Sequence, residues 1–226
     1  MNKIEVIGWT VEDAINIEKG NGDRIELLVE LEHGGLTPPV QLVKDVLAAV
    51  NIPVRVMVRD IYESFVYDNE VHQSHLNFIN EIKKFKPEGI VYGSLTAQNE
   101  INYSQLKDVI EAKGEMKLTF NRAFDELDEN SSLQALEKLK EYEIDTILTS
   151  GNSKSALEGK ENIRKYILNS ENIQILPGSK IDLSNCLEIK NYTKANWLHI
   201  GMAVRDKNGN IDMEKIKKMK EVINNG

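Results

Sequence analysis

Short apolar runs alternate with longer amphipathic segments along the whole chain. The short runs are rich in valine, isoleucine and leucine and end at glycine, proline or polar residues, a pattern typical of buried β-strands. The longer segments carry apolar residues at intervals of three and four, which predicts helices packed by one face. Strands are predicted at 3–8, 23–29, 53–58, 89–92, 117–120, 145–148, 173–176 and 196–200. Helices are predicted at 11–20, 41–50, 69–86, 104–113, 131–142, 183–192 and 212–223. One more helix, capped by Ser153 or Ser155, is predicted to end near residue 168.

Eight alternating strand and helix units predict one α/β domain over residues 1–226, a TIM (β/α)8 barrel. Strands that alternate with helices form parallel sheets with right-handed crossovers, and eight such units close into a barrel. A doubly wound open sheet is the alternative, but no Gly-x-Gly-x-x-Gly turn follows the first strand. The chain is shorter than the roughly 250 residues typical of this barrel, so we expect no second domain.

The composition narrows the class of ligand. The chain has 36 acidic against 28 basic side chains and a formal charge of -8, which disfavours a nucleic-acid or anionic-membrane surface and favours a small molecule or metal ion as partner.

No apolar run approaches the roughly 20 residues that cross a bilayer, and the N-terminus lacks the long apolar stretch of a signal peptide, so we expect a cytoplasmic protein. One cysteine excludes an intrachain disulfide.

The barrel hypothesis selects candidate site residues, because the loops after the carboxyl ends of the strands converge on one mouth, where the chemistry of these folds takes place. Polar residues within the strands, namely Glu5, Glu26 and His199, are expected to point into the barrel below that mouth. The residues selected at the strand ends are Gly8, Trp9, Glu30, Arg59, Gly93, Ser94, Asn121, Arg122, Thr149, Ser150, Gly151, Pro177, Gly178, Ser179, Gly201 and Met202.

A ring of carboxylates and guanidinium groups is therefore available. A catalytic interpretation assigns acid–base work to Glu5 and Glu26 and places Arg122 and Asp125, which follow the fifth strand, in the same site. Arg59, together with Arg122, would hold an anionic substrate by parallel hydrogen bonds. The alternative is that these groups neutralise each other inside the barrel, because buried charges must be paired under either interpretation.

Strand-end glycine and serine residues indicate an anion site. Backbone N–H groups at Ser150, Gly151, Gly178 and Gly201, each close to the start of a helix, would cradle a phosphate or carboxylate. Glycine is also the ordinary residue of a tight strand-to-helix corner, and that alternative stays open. His199 has two interpretations as well, a metal ligand or a hydrogen-bonded residue of the core.

Several motifs occur in one order along the chain, namely DRIEL at 23–27, GGLTP at 34–38, RAFD at 122–125, ILTSG at 147–151 and ILPG at 175–178. Together they resemble the CutC family, the copper homeostasis proteins. The resemblance implies a TIM barrel, assembly into a dimer or larger homo-oligomer, and copper as the ligand.

The chain also departs from the pattern of the family it resembles. The family commonly has cysteine in the first strand and at the end of DRIEL, where this chain has Ile7, Gly8 and Leu28, and the usual histidine before RAFD is replaced by Asn121. Copper(I) prefers thiolate and thioether ligands, and Cys186 is expected on a helix away from the mouth. Three functions therefore stay open: copper homeostasis by binding or trafficking, an enzyme acting on a small anionic or phosphorylated metabolite, and a barrel that has lost its chemistry and acts through its surface.

Overall fold

Eight strands alternate with eight helices in the computed structural model, which describes residues 2–225 except for the side chains of Glu129 and Asn130. The strands β1 to β8 are Lys3–Gly8, Arg24–Leu27, Val54–Met57, Gly89–Tyr92, Lys117–Phe120, Thr146–Thr149, Gln174–Pro177 and Trp197–Ile200. The helices α1 to α8 are Val11–Lys19, Val40–Ala49, Asn69–Ile82, Tyr103–Lys113, Glu129–Leu139, Lys160–Asn169, Cys186–Thr193 and Met213–Asn225.

The strands form one parallel sheet that curls into a barrel. Consecutive strands pair from β1–β2 through to β6–β7, and β1 also pairs with β8, so the order around the sheet is β7-β6-β5-β4-β3-β2-β1-β8. Within the described chain no ladder joins β7 to β8, but the two strands lie side by side and nearly close the ring. The predicted TIM barrel is confirmed.

Local sequence explains where the elements begin and end. Thr10 caps α1 by accepting a hydrogen bond from the backbone N–H of Asp13 at 3.0 Å, and Gly20 ends the helix. The prediction that Ser153 or Ser155 caps the sixth helix is wrong, because α6 begins at Lys160. The Ser155 hydroxyl instead accepts the backbone N–H of Glu158 in the turn before the helix, at 3.2 Å.

The apolar core lies between the barrel and the ring of helices. Outward-facing strand residues such as Ile4, Val6 and Ile25 are fully buried and pack with Ala14 and Ile17 of α1. Burial of this kind supplies most of the driving force for folding. No helix of the described chain has the length and apolar composition to cross a membrane.

The inside of the barrel is charged. Arg24 of β2 donates a hydrogen bond to the carboxylate of Glu5 on β1, and both side chains are almost fully buried. Arg55 of β3 reaches across the interior and donates to the hydroxyls of Thr119 at 2.6 Å and Thr146 at 2.9 Å. Buried charges cost several kcal/mol each unless they are paired and hydrogen-bonded, so these contacts fix which strands lie opposite each other.

A histidine is buried between α3 and the barrel. Nε2 of His75 accepts a hydrogen bond from the backbone N–H of Asp60 at 3.2 Å, and the ring meets Tyr67 and Tyr92 edge-on at centroid distances of 4.7 and 5.7 Å. Burial lowers the pKa of His75 to about 4, although the nearby Asp60 carboxylate partly offsets this effect. His75 is therefore neutral in the folded protein at neutral pH.

This pKa predicts a loss of stability in mild acid. Between pH 6.5 and 4 the unfolded chain binds a proton at His75 and the folded chain does not, so the free energy of unfolding falls as the pH falls through this range. From pH 7 to 4.5 the expected loss is about 2.5 kcal/mol, given a pKa near 6.5 in the unfolded chain. Urea unfolding of the wild type and His75→Gln at both pH values measures it. An equal pH dependence in the two proteins would contradict the prediction.

Candidate functional site

A cavity of about 710 Å³ opens at the carboxyl ends of the strands. Glu26 and His199 lie at its floor, and Arg59 and Arg122 lie in its wall. A volume of this size accommodates a small organic molecule rather than a single ion. The lining residues are Ile7, Glu26, Leu28, Leu31, His33, Gly34, Met57, Arg59, Phe65, Asn121, Arg122, Glu126, Leu148, Ser179, Lys180, Ile181, Asp182, His199, Gly201, Met202 and Ala203.

Two carboxylates and one imidazole meet inside the barrel below this cavity. Nε2 of His199 lies 2.7 Å from Oε2 of Glu26 and 3.8 Å from Oε1 of Glu5. One potential ligand atom from each of the three residues lies within 4.8 Å of the others. Oε1 of Glu5 and Oε1 of Glu26 are buried and have no hydrogen-bond partner. We call Glu5, Glu26 and His199 the acidic-histidine cluster.

The charges in this cluster shift two pKa values in opposite directions. Burial alone would raise the pKa of Glu5, but Arg24, His199 and Arg55 outweigh it and lower the pKa below its usual value. Burial alone would lower the pKa of His199, but Glu26 and then Glu5 outweigh it and raise the pKa. The carboxylates of the cluster therefore favour a cation at Nε2 of His199.

The two arginines that line the cavity differ in solvent exposure and in the contacts they make. Arg59 is buried, donates from Nη2 to the carbonyl oxygen of Tyr62 at 2.6 Å, and stacks on the ring of Phe65 at 4.4 Å. Burial lowers its pKa. The side chain of Arg122 is 45% exposed and donates from Nε to Asp125 at 2.8 Å. Of the two, Arg122 is the one that a dissolved anion reaches.

Asp125 joins the loop after β5 to the end of β6. Its carboxylate accepts hydrogen bonds from the hydroxyl of Thr149, from the backbone N–H of Ser150 at 3.0 Å and from the hydroxyl of Ser150 at 2.9 Å. The N–H of Gly151 donates to the Thr149 hydroxyl at 2.9 Å. Both N–H groups selected from the sequence at this corner therefore donate within the protein, and neither Asp125, Ser150 nor Gly151 lines the cavity.

Of the other two strand-end glycines selected from the sequence, Gly178 lies against neighbours that a side chain would crowd, and Gly201 does not. A Cβ atom at Gly178 would lie 2.7 Å from Cδ1 of Leu148 and 3.2 Å from Nδ1 of His199, so a side chain there would displace the imidazole. The N–H of Gly178 donates to the carbonyl oxygen of Thr149 at 2.9 Å. A Cβ atom at Gly201 would make an ordinary contact with Ile7 at 3.4 Å, and Gly201 lines the cavity.

The structure thus brings Glu5, Glu26 and His199 together and keeps Asp125 apart from them. Arg24 and Arg55, which supply the counter-charges of the interior, were not among the site residues predicted from the sequence. The available signal was the period-2 spacing of Arg24 and Glu26 in β2, since alternate strand residues share one face. Cys186 is buried on α7, as expected from the sequence, and does not line the cavity.

Comparison with known proteins agrees with the motifs. A family model described as the CutC family matches residues 2–204. The chain belongs to the CutC family. A copper homeostasis protein cutC homolog from Homo sapiens is 33% identical over 197 residues, which cover 87% of this chain and 71% of that protein. A CutC family protein from Pasteurella multocida is 32% identical over 199 residues, which cover 88% of this chain and 81% of that protein.

Solved structures agree at the level of the fold. The crystal structure of CutC from Streptococcus agalactiae superposes with a TM-score of 0.84 at 25% identity, covering 89% of this CutC-family chain and 98% of the other. A phosphoribosyl anthranilate isomerase from Thermococcus kodakaraensis reaches a TM-score of 0.68 at 15% identity, with both chains covered completely. The second likeness shows a shared barrel and nothing about activity.

The contacts of Asp125 predict a structural contribution. Asp125→Ala removes an acceptor from Thr149, Ser150 and Arg122 and should lower the free energy of unfolding by about 3 kcal/mol. Glu126→Ala is the matched control, because Glu126 is exposed and should change stability by less than about 0.5 kcal/mol. Urea unfolding measures both variants, and equal stabilities would overturn this assignment.

Proposed function

We propose that this CutC-family protein acts in copper homeostasis by binding divalent copper at the acidic-histidine cluster of Glu5, Glu26 and His199. The observation that carries the proposal is a pair of buried carboxylate oxygens beside an imidazole, Oε1 of Glu5 and Oε1 of Glu26, neither of which accepts a hydrogen bond. Buried polar atoms are hydrogen-bonded in folded proteins with few exceptions, so such a pair is a candidate ligand set.

The donor set favours divalent over monovalent copper. Copper(I) prefers soft sulfur ligands, whereas copper(II) takes nitrogen and oxygen and has the highest affinity of the first-row divalent ions for a given site. Among the residues that the structure describes, the cavity offers sulfur only through Met57 and Met202, and Met202 is 59% exposed. In this proposal copper is the cargo, and the family name of the relatives supports its identity.

The charges of the acidic-histidine cluster are compatible with binding of a cation. Nε2 of His199 lies between two carboxylates, so a metal ion would take the position that a proton on Nε2 occupies. Arg24 would stay on the far oxygen of Glu5 and fix the carboxylate in place, the role that partners of metal ligands generally have.

The setting of the protein is also part of the proposal. A cytoplasmic location and a homo-oligomeric state are expectations of the sequence and of the family resemblance. The exposed Met202 and Tyr62, which is 47% exposed, are apolar residues that a second copy would cover.

Titration with copper(II) tests the metal site. Isothermal titration calorimetry should show one strong site per chain, and Glu26→Gln and His199→Gln should each weaken it by about tenfold or more. The same ion at about 100 times its dissociation constant should stabilise the wild type by about 2.7 kcal/mol. His72→Gln is the control, because this histidine lies on α3 and bonds to Asp108 outside the cluster. Equal affinities in the cluster variants and the control would exclude the cluster as the site.

A second candidate function is supported by the size of the cavity. A volume of about 710 Å³ far exceeds what one ion occupies and suits an enzyme acting on a small anionic or phosphorylated metabolite. Arg122 would bind the anion, and the Glu26–His199 pair would lie beneath it.

Thermal denaturation with a panel of phosphorylated metabolites tests this candidate. A ligand of the cavity should raise the melting temperature, and Arg122→Ala should abolish the rise, because it removes the accessible guanidinium. Lys107→Ala is the control, since Lys107 is exposed on α4 and lines neither end of the barrel. No rise with any member of the panel, or a rise that survives Arg122→Ala, would contradict the candidate.

A further inference from the structure

A second cavity, of about 830 Å³, opens at the opposite end of the barrel, where the strands begin. The first residues of six strands line it: Lys3, Arg24, Lys117, Thr146, Gln174 and Trp197. None of them belongs to the acidic-histidine cluster or to the mouth. This end of a TIM barrel normally serves stability, so an open polar cavity there calls for an explanation.

Arg24, a deeply buried positive charge of this second cavity, has a free hydrogen-bond donor. The side chain of Arg24 is 4% exposed, its Nε donates to Glu5, and its guanidinium stacks on the ring of Trp197 at 4.3 Å. Nη2 of the same guanidinium is buried and has no hydrogen-bond partner. A guanidinium presents its donors as a rigid fork, so a second acceptor next to Glu5 would complete its bonding.

The surrounding basic residues add to this charge. Lys3 lies over the ring of Trp197 at 5.2 Å, and Lys194 lines the cavity at the end of α7. Both are exposed, and in the described part of the chain neither forms an ion pair. Arg55 also lines the cavity and is buried.

The acidic residues of the same cavity are already engaged. Glu88 lies 2.7 Å from Arg55 and 3.6 Å from Lys117. Asp23 accepts hydrogen bonds from Lys220 and from the N–H of Ile4. Glu171 lies 2.8 Å from Lys140, and Asp145 accepts a hydrogen bond from the N–H of Leu118 at 2.8 Å. Among the described residues Asp145 is a lining carboxylate without a cationic partner, whereas Lys3 and Lys194 are two lining cations without an acidic one. The uncompensated charge of the cavity is therefore positive, although the whole chain carries -8.

We infer that this second cavity binds a compact dianion, inorganic phosphate or a phosphate monoester, between Arg24, Lys3 and Lys194. Arginine and lysine are the usual partners of phosphate, the first through its fork and the second as a mobile point charge. The inference does not depend on copper binding at the other end of the barrel.

Isothermal titration with inorganic phosphate, at constant ionic strength set by sodium chloride, tests the site. The wild type should show saturable binding that Lys3→Glu/Lys194→Glu weakens by at least about tenfold. Lys44→Glu/Lys107→Glu changes the net charge equally on the exposed faces of α2 and α4 and should leave the affinity unchanged. Arg24→Lys keeps a positive charge for Glu5 but removes the free Nη2, and it should also weaken binding.

The outcomes separate this cavity from the mouth and from general charge effects. Titrations are repeated in the Arg122→Ala background, which removes anion binding at the mouth, and the phosphate site that depends on Lys3 and Lys194 should remain there. The inference is overturned by the absence of saturable binding, by equal losses in the two lysine pairs, or by loss of binding in Arg122→Ala. The lysine variants are surface changes, so a failure of Arg24→Lys to fold would not remove the test.

Discussion

Pairing of charges inside the barrel is the constraint on which the rest of this structure depends. Glu5, Arg24, Glu26, Arg55 and His199 all occupy inward strand positions and are nearly or fully buried. A buried charge that loses its partner costs about 3 to 5 kcal/mol, comparable with a large share of the stability of a whole domain. A slip of one strand by one residue would turn its charged side chain outward into the apolar layer under the helices, so the same pairs also fix the register.

One ion pair connects the two ends of the barrel. Glu5 contributes one oxygen to the acidic-histidine cluster and gives the other to Arg24, and Arg24 has a free donor at the opposite cavity. An anion at Arg24 would weaken its hold on Glu5 and make the cluster more negative, which favours a cation there. Because coupling between two binding sites is reciprocal, a cation at the cluster would favour the anion to the same extent.

The fold could be predicted from the sequence because the apolar pattern has a different period in strands and in helices. Eight successive strand–helix units are also compatible with only a few topologies. It also selected Glu5, Glu26 and His199, since a polar residue within an apolar strand must face something polar. It did not reveal Arg24 and Arg55 as their counter-charges, because an alternating pattern shows which face a side chain occupies but not which neighbours it meets. The same holds for the turn at Ser150 and Gly151, whose N–H groups donate to Asp125 and Thr149. These hydrogen bonds depend on the conformation of the loop, which the spacing of residues along the sequence does not predict.

The apolar residues beside the mouth cavity would affect how strongly the acidic-histidine cluster binds a metal ion. Ile7 and Leu28 pack with Met57 and Val91 as an apolar group beside the mouth cavity. Low polarity there strengthens the electrostatic interactions of the charges beneath it. With a protonated His199 the two carboxylates balance Arg24 and the imidazolium, so a divalent ion that replaces the proton leaves one excess positive charge. An anion bound beside Arg122 in a cavity of about 710 Å³ would compensate that charge, and the two candidate functions of the mouth then describe one site that takes a metal ion together with an anionic ligand.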